Sequence, residues 1–176
     1  EVFRDTLLHL SGRLRWALDG GPMRVKSQDP SPKDLANNQS IYEKSDRRSV
    51  YLPVVRSNVY DLLTLLDFPN AATPVGSRVT TTVPTQALLM MNGDYLMNES
   101  RSIAKNWLNA TDKGLKPSLN LLYEALLTRS PTPDELEWAK DFLEDFSPED
   151  SAPNKTESWN ALCHTLVMSN DFIHVR

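Results

Sequence analysis

The chain has 176 residues, 40% of them hydrophobic and 24% charged, with a formal net charge of −4. That length buries a core and fits one domain, and average globular usage argues against a disordered chain. No apolar run approaches the length that crosses a bilayer, and the acidic balance argues against gripping nucleic acid through the overall field, so neither membrane insertion nor a nucleic-acid partner is expected.

Residues 1–10 read as an amphipathic helix already under way, with Phe3, Leu7 and Leu10 at helical spacing, so the chain is expected to be a fragment of a longer protein. Gly12 supplies the left-handed stop. Residues 19–40, rich in Pro, Asn, Ser and Gln, show no apolar period and read as a long irregular loop. Ser49 to Val55 is the one β-rich stretch. Pro53 inside it makes it a short extended or edge segment, because proline cannot donate to a ladder. Asn58 is expected to cap a short helix carrying Val59, Leu62, Leu63 and Leu66, which stops before Pro69. A second polar loop, residues 67–83, leads through Thr80-Thr81-Thr82 to a helix beginning near Pro84 with Ala87, Leu88 and Met91 buried. Asn92-Gly93-Asp94 breaks it, and Asp94 caps a further helix carrying Leu96, Ile103 and Trp107.

The last third is the clearest. Leu119, Leu122, Tyr123, Leu126 and Leu127 repeat at core-helix offsets, as do Trp159, Leu162, Cys163, Leu166 and Val167. Between them Thr132-Pro133-Asp134-Glu135 combines a cap, a proline at the first helical position and a capping-box glutamate, ahead of Leu136, Ala139, Leu143 and Phe146. Helices are expected over residues 119–129, 133–145 and about 155–168. The fold class is mostly α: a single-domain helical bundle over residues 1–176, with long irregular loops and one short extended segment.

The chemistry of sites is thin. No metal-ligand spacing, haem-attaching C-x-x-C-H or phosphate-cradling glycine pattern occurs, so no metal and no cofactor are expected in this domain. Cys163 and His164 are adjacent on a helix and point about 100° apart, so the histidine cannot easily activate the thiol. Cys163 instead falls on the apolar stripe as a structural thiol. Glu135, Glu137, Asp141, Glu144 and Asp145 read as the solvated face of one helix. The cluster with more to offer is Arg47, Arg48, Tyr51, Arg56 and Arg78, on loops around the extended segment. Arginine supplies a planar fork of donors and tyrosine a stacking face, so the group suits an anion or an anionic carbohydrate. The same arginines can instead tie down the loops through Asp46, Asp61 or Asp67, and spacing leaves both readings open.

Glu43-Lys44-Ser45-Asp46-Arg47-Arg48-Ser49-Val50-Tyr51-Leu52-Pro53-Val54-Val55-Arg56 resembles the signature of a C-terminal domain of unknown function in large planctomycete surface or exported proteins. Further matches are Phe68-Pro69, Arg78 with Thr80 to Leu88, Met91-Asn92, Leu122 to Arg129 with Pro131, and Trp159 to Ile173; Asp171 departs from the glutamate expected there. The resemblance implies a bacterial, exported, multidomain setting (periplasm or cell surface), with sister domains of the same polypeptide as partners and, in many of its proteins, haem in an upstream cytochrome-c-like domain. It brings no established activity. Two functions are carried forward: a non-catalytic binding or scaffolding module, and a polysaccharide hydrolase or lyase drawing acid and base from Asp46, Asp67 or Tyr51.

Overall fold

The computed structural model describes residues 1–17, 25, 31–56, 58–78, 81–109, 114–146 and 152–173. Among these the regular structure is helical: α1 (Val2–Leu10), α2 (Pro32–Lys44), α3 (Asp61–Leu65), α4 (Pro84–Asn92), α5 (Asp94–Asn109), α6 (Leu115–Leu127), α7 (Pro133–Phe146), α8 (Ala152–Val167) and α9 (Asn170–Ile173), with a 3-10 turn at Ser49–Tyr51. The extended pairing among the described residues is one isolated parallel bridge, Arg15 to Arg47. The mostly helical expectation holds. Two compact units divide the chain: Glu1–Thr6 with Arg13–Met91, and Leu7–Gly12 with Asn92–Arg176.

In the first unit the expected loop over residues 19–40 is corrected at its end. Ser31 caps α2: its Oγ accepts the Asp34 amide at 3.4 Å while the Asp34 carboxylate accepts the Ser31 amide at 3.0 Å. The box closes with aspartate in place of the usual glutamate or glutamine, and the buried face carries a polar residue, Asn38, so no apolar period marks the helix. The rest of that stretch, apart from Val25, lies outside the described residues. Tyr42 and Tyr60 meet with ring centroids 5.2 Å apart, and the Tyr42 hydroxyl donates to the Pro53 carbonyl at 2.8 Å. Leu52, Val55, Leu62 and Leu63 are buried in this unit.

The expected extended segment is also corrected. It opens with the 3-10 turn and becomes extended only at Leu52, with φ −74° and ψ 137°. Nor does Asn58 cap α3. Tyr60 stands at the cap position without a side-chain bond, and the Asp61 amide donates instead to Gln39 Oε1 at 3.1 Å, a cap supplied from α2. α3 ends before Pro69 is reached, because Asp67 turns left-handed at φ 59° and the Phe68 amide returns to the Leu63 carbonyl at 3.0 Å. In α4 the buried residue is Met90, whereas Ala87, Leu88 and Met91 are exposed. Ala87-Leu88-Leu89-Met90-Met91 is apolar all round, so period alone cannot choose its face.

In the second unit α5 packs chiefly along α8, which also touches α6, α7 and α9. Leu96, Ile103 and Ala104 of α5, Leu119, Leu122 and Tyr123 of α6, Ala139 and Leu143 of α7, and Trp159, Leu162, Cys163 and Val167 of α8 are buried. The stripes expected for α6 and α8 are therefore the faces that pack. Burial pushes the Cys163 thiol up to about 12, as a structural thiol requires. Two expectations for α7 need correction: Phe146 is exposed, and Glu135, half-buried, is bound by an arginine and is not left to solvent alone. Arg129 forks onto both Glu135 oxygens at 2.8 and 2.7 Å and also donates to Asp171 at 2.7 Å, joining the end of α6, the start of α7 and α9. The Thr132 and Glu135 capping box closes as expected, at 2.7 and 3.2 Å.

Candidate functional site

The sequence signature surrounds a buried arginine that spacing did not single out. Arg4 of α1 is fully buried. Its Nη1 donates to the Arg47 carbonyl at 2.9 Å and Ser49 Oγ at 3.3 Å, and its Nη2 to the Tyr42 carbonyl at 3.2 Å and the Ser45 carbonyl at 2.7 Å. Those four bonds use every hydrogen on the two terminal nitrogens. Asp5 completes the grip: its Oδ1 accepts the Ser49 amide at 2.8 Å and the Ser49 hydroxyl at 2.6 Å, and lies 3.6 Å from Arg4 Nη1. The signal for Arg4 was its register. Arg4, Leu7, Leu8 and Ser11 are the buried positions of the helix and its end, at i, i+3, i+4 and i+7, so a charge stands on the core stripe. Phe3 and Leu10, expected there, are only half-buried.

With the chain between Tyr42 and Ser49 held from inside, Arg47 and Arg48 stand beside residues 15 and 16. The Arg15 amide donates to the Asp46 carbonyl at 2.8 Å, and Arg15 Nε lies 3.1 Å from Asp46 Oδ2. The Arg48 guanidinium sits 5.7 Å from the ring centre of Trp16, which is 64% exposed, while its Nε is 4.0 Å from Asp5. A cation over an exposed indole is a basic and aromatic surface, and its aromatic is Trp16 where Tyr51 was expected. Trp16 was missed because it stands some thirty residues before the signature.

The other residues of the expected cluster go different ways. Tyr51, in the 3-10 turn, is 38% exposed, and its amide donates to the Arg48 carbonyl at 2.9 Å. Arg56 is exposed, with no polar partner among the described residues. Arg78 forks onto Glu1 at 2.5 and 3.1 Å, and this bond holds the Glu1 carboxyl below its usual range. Arg78 is therefore a loop tie.

The residues weighed for acid and base work are engaged separately. Asp46 faces Arg15. Asp67 accepts the Thr81 hydroxyl at 2.6 Å and amide at 2.7 Å, with Gln86 at 3.4 Å; these bonds, the Thr81 hydroxyl first, lower its pKa and pin the segment before α4 to the end of α3. Among the described residues no three His, Cys, Asp or Glu side chains gather as a metal site.

The chain is thus an α-helical protein whose most distinctive feature is a loop gripped by a buried arginine beneath an arginine and tryptophan surface. The family described as PSD1, protein of unknown function (DUF1553), matches residues 1–143, well over half of the sequence, and the chain belongs to that family. No curated protein and no solved structure matches it.

Proposed function

We propose that this domain is a non-catalytic binding module and that its Arg48 and Trp16 surface, with Arg15 and Arg47 beside it, takes anionic carbohydrate. The observation that carries the reading is the guanidinium of Arg48 over the exposed Trp16 ring, on a loop whose main chain is gripped from below by Arg4. A sugar stacks on the indole while sulfate or carboxylate oxygens accept from the arginines. Preorganisation supports binding, since little loop ordering remains for the ligand to drive. The setting we propose is that of large exported planctomycete proteins, where sister domains of the same polypeptide are the other partners and haem belongs to an upstream cytochrome-c-like segment.

Sulfated and carboxylated oligosaccharides titrated against the chain test this. Trp16→Ala and Arg48→Ala should each weaken binding about tenfold with melting little changed, and affinity should fall as salt rises. Binding that is absent, or indifferent to both substitutions, overturns the reading. Release of new reducing ends from a polysaccharide would replace it with the hydrolase or lyase reading.

A further inference from the structure

Two surface features of the second unit meet at one residue. On α7, Trp138, Phe142 and Phe146 recur at every fourth position with their rings in series, centroids 5.4 and 5.6 Å apart. Trp138 is 45% exposed and Phe146 48%. Single exposed aromatics are ordinary, but three in register form a ridge. Asp141 and Asp145 line the open groove along it. Phe146 also borders a cleft of about 240 Å³ lined by α5 and α8, where Met97 and Ala161 supply apolar surface and Arg101, Glu157 and His164 polar groups. Ridge and cleft make one continuous track through Phe146.

Charge selects what covers it. α7 carries Asp134, Glu135, Glu137, Asp141, Glu144 and Asp145 against the one Lys140, and among the described residues the α7 carboxylate taken up by an arginine is Glu135, by Arg129. Arg101, whose Nη1 donates to Asn98 Oδ1 at 3.0 Å, keeps the cleft end closer to neutral, so the negative field is strongest along the ridge. We propose that this track docks a cationic amphipathic segment of a partner protein, its Lys or Arg side chains facing Asp141, Asp145 and Glu157 and its aliphatic side chains covering the rings. A second copy would set one acidic helix against another. A neutral glycan needs an open ring face, whereas Trp138 stacks on Phe142 at 25° and Phe142 leans on Phe146 at 36°, so each ring takes up part of its neighbour's face. Aliphatic side chains and the stems of Lys and Arg suit such an apolar ridge between carboxylates. This site and the Trp16 surface share no residue, so either can fail alone.

The test uses the full chain and a fluorescein-labelled amphipathic helical peptide of Lys and Leu, about 18 residues long, with a Glu and Leu peptide of the same pattern as control. Anisotropy should show the Lys peptide binding, more weakly at high salt, and the Glu peptide not binding. Trp138→Ala with Phe146→Ala, and separately Asp141→Asn with Asp145→Asn, should each weaken binding about tenfold. These are exposed positions, and circular dichroism checks that both double variants are folded. Equal affinity of the Lys peptide for the native chain and both variants, or equal binding of the two peptides, overturns the proposal. So does sedimentation showing self-association that the aromatic variant abolishes, or a neutral oligosaccharide that binds the ridge in place of the peptide.

Discussion

Replacing Glu135 by glutamine keeps the side chain's length and its capping geometry while removing its charge, and the effect should depend on pH in a defined direction. The fork from Arg129, helped by the Thr132 amide, holds the Glu135 carboxyl at about 2 against an ordinary value of 4.5. A carboxyl depressed on folding stabilises the fold above its unfolded value and loses that contribution as pH falls through its folded value, so the window is pH 4.5 down to 2. The full gap corresponds to about 3 kcal/mol. The Glu135 and Arg129 side chains are 32% and 38% exposed, so solvent screening reduces this to about 1–2 kcal/mol. Thermal unfolding of the native chain and Glu135→Gln, followed by circular dichroism between pH 7 and pH 2, is the assay. The native chain should melt several degrees higher at neutral pH, and the difference should close between pH 4.5 and 2. A difference that stays constant over that window would refute the assignment of the charge to this joint.

Arg4→Ala should destabilise the protein by about 3–5 kcal/mol in urea unfolding, because the carbonyls of Tyr42, Ser45 and Arg47 lose a buried charged donor, and Arg4→Lys should rescue little of it, a point charge being unable to span four acceptors. Thr132→Ala should cost about 1 kcal/mol in the same assay through loss of the α7 cap. Cys163, buried with its thiol pushed up to about 12, should react with a thiol reagent only as fast as the chain opens, so labelling should accelerate with urea and be negligible without it.

Local signals were read well where the responsible groups lie within a few residues of one another. Thr132-Pro133-Asp134-Glu135 starts α7 and Gly12 at φ 73° follows α1, each a matter of one turn of chain, whereas Asp94, expected as a cap, is the first residue inside α5. Legibility failed where the partner comes from elsewhere. α3 takes its cap from Gln39, more than twenty residues away, so Asn58 was a reasonable expectation from local rules and an incorrect one. α2 escaped because its buried Asn38 is polar and its capping box is closed by an aspartate. At the candidate site, Arg47 and Arg48 were visible in the signature, but the cation that holds their loop and the indole beneath Arg48 belong to the first sixteen residues. Arg78 was visible as well, and only its fork onto Glu1 shows it to be a tie.

Three of the four acceptors that Arg4 holds are main-chain carbonyls, and every residue type offers the same carbonyl. The path of this loop therefore depends little on which side chains it bears at positions 46, 47 and 48. Exchanging those three for other residues should leave the backbone trace in place while changing what the surface recognises. The arrangement behaves as a socket with interchangeable contacts, in which selectivity can be rewritten without rebuilding the support, and it makes positions 46–48 the natural place to graft a new binding preference onto this domain.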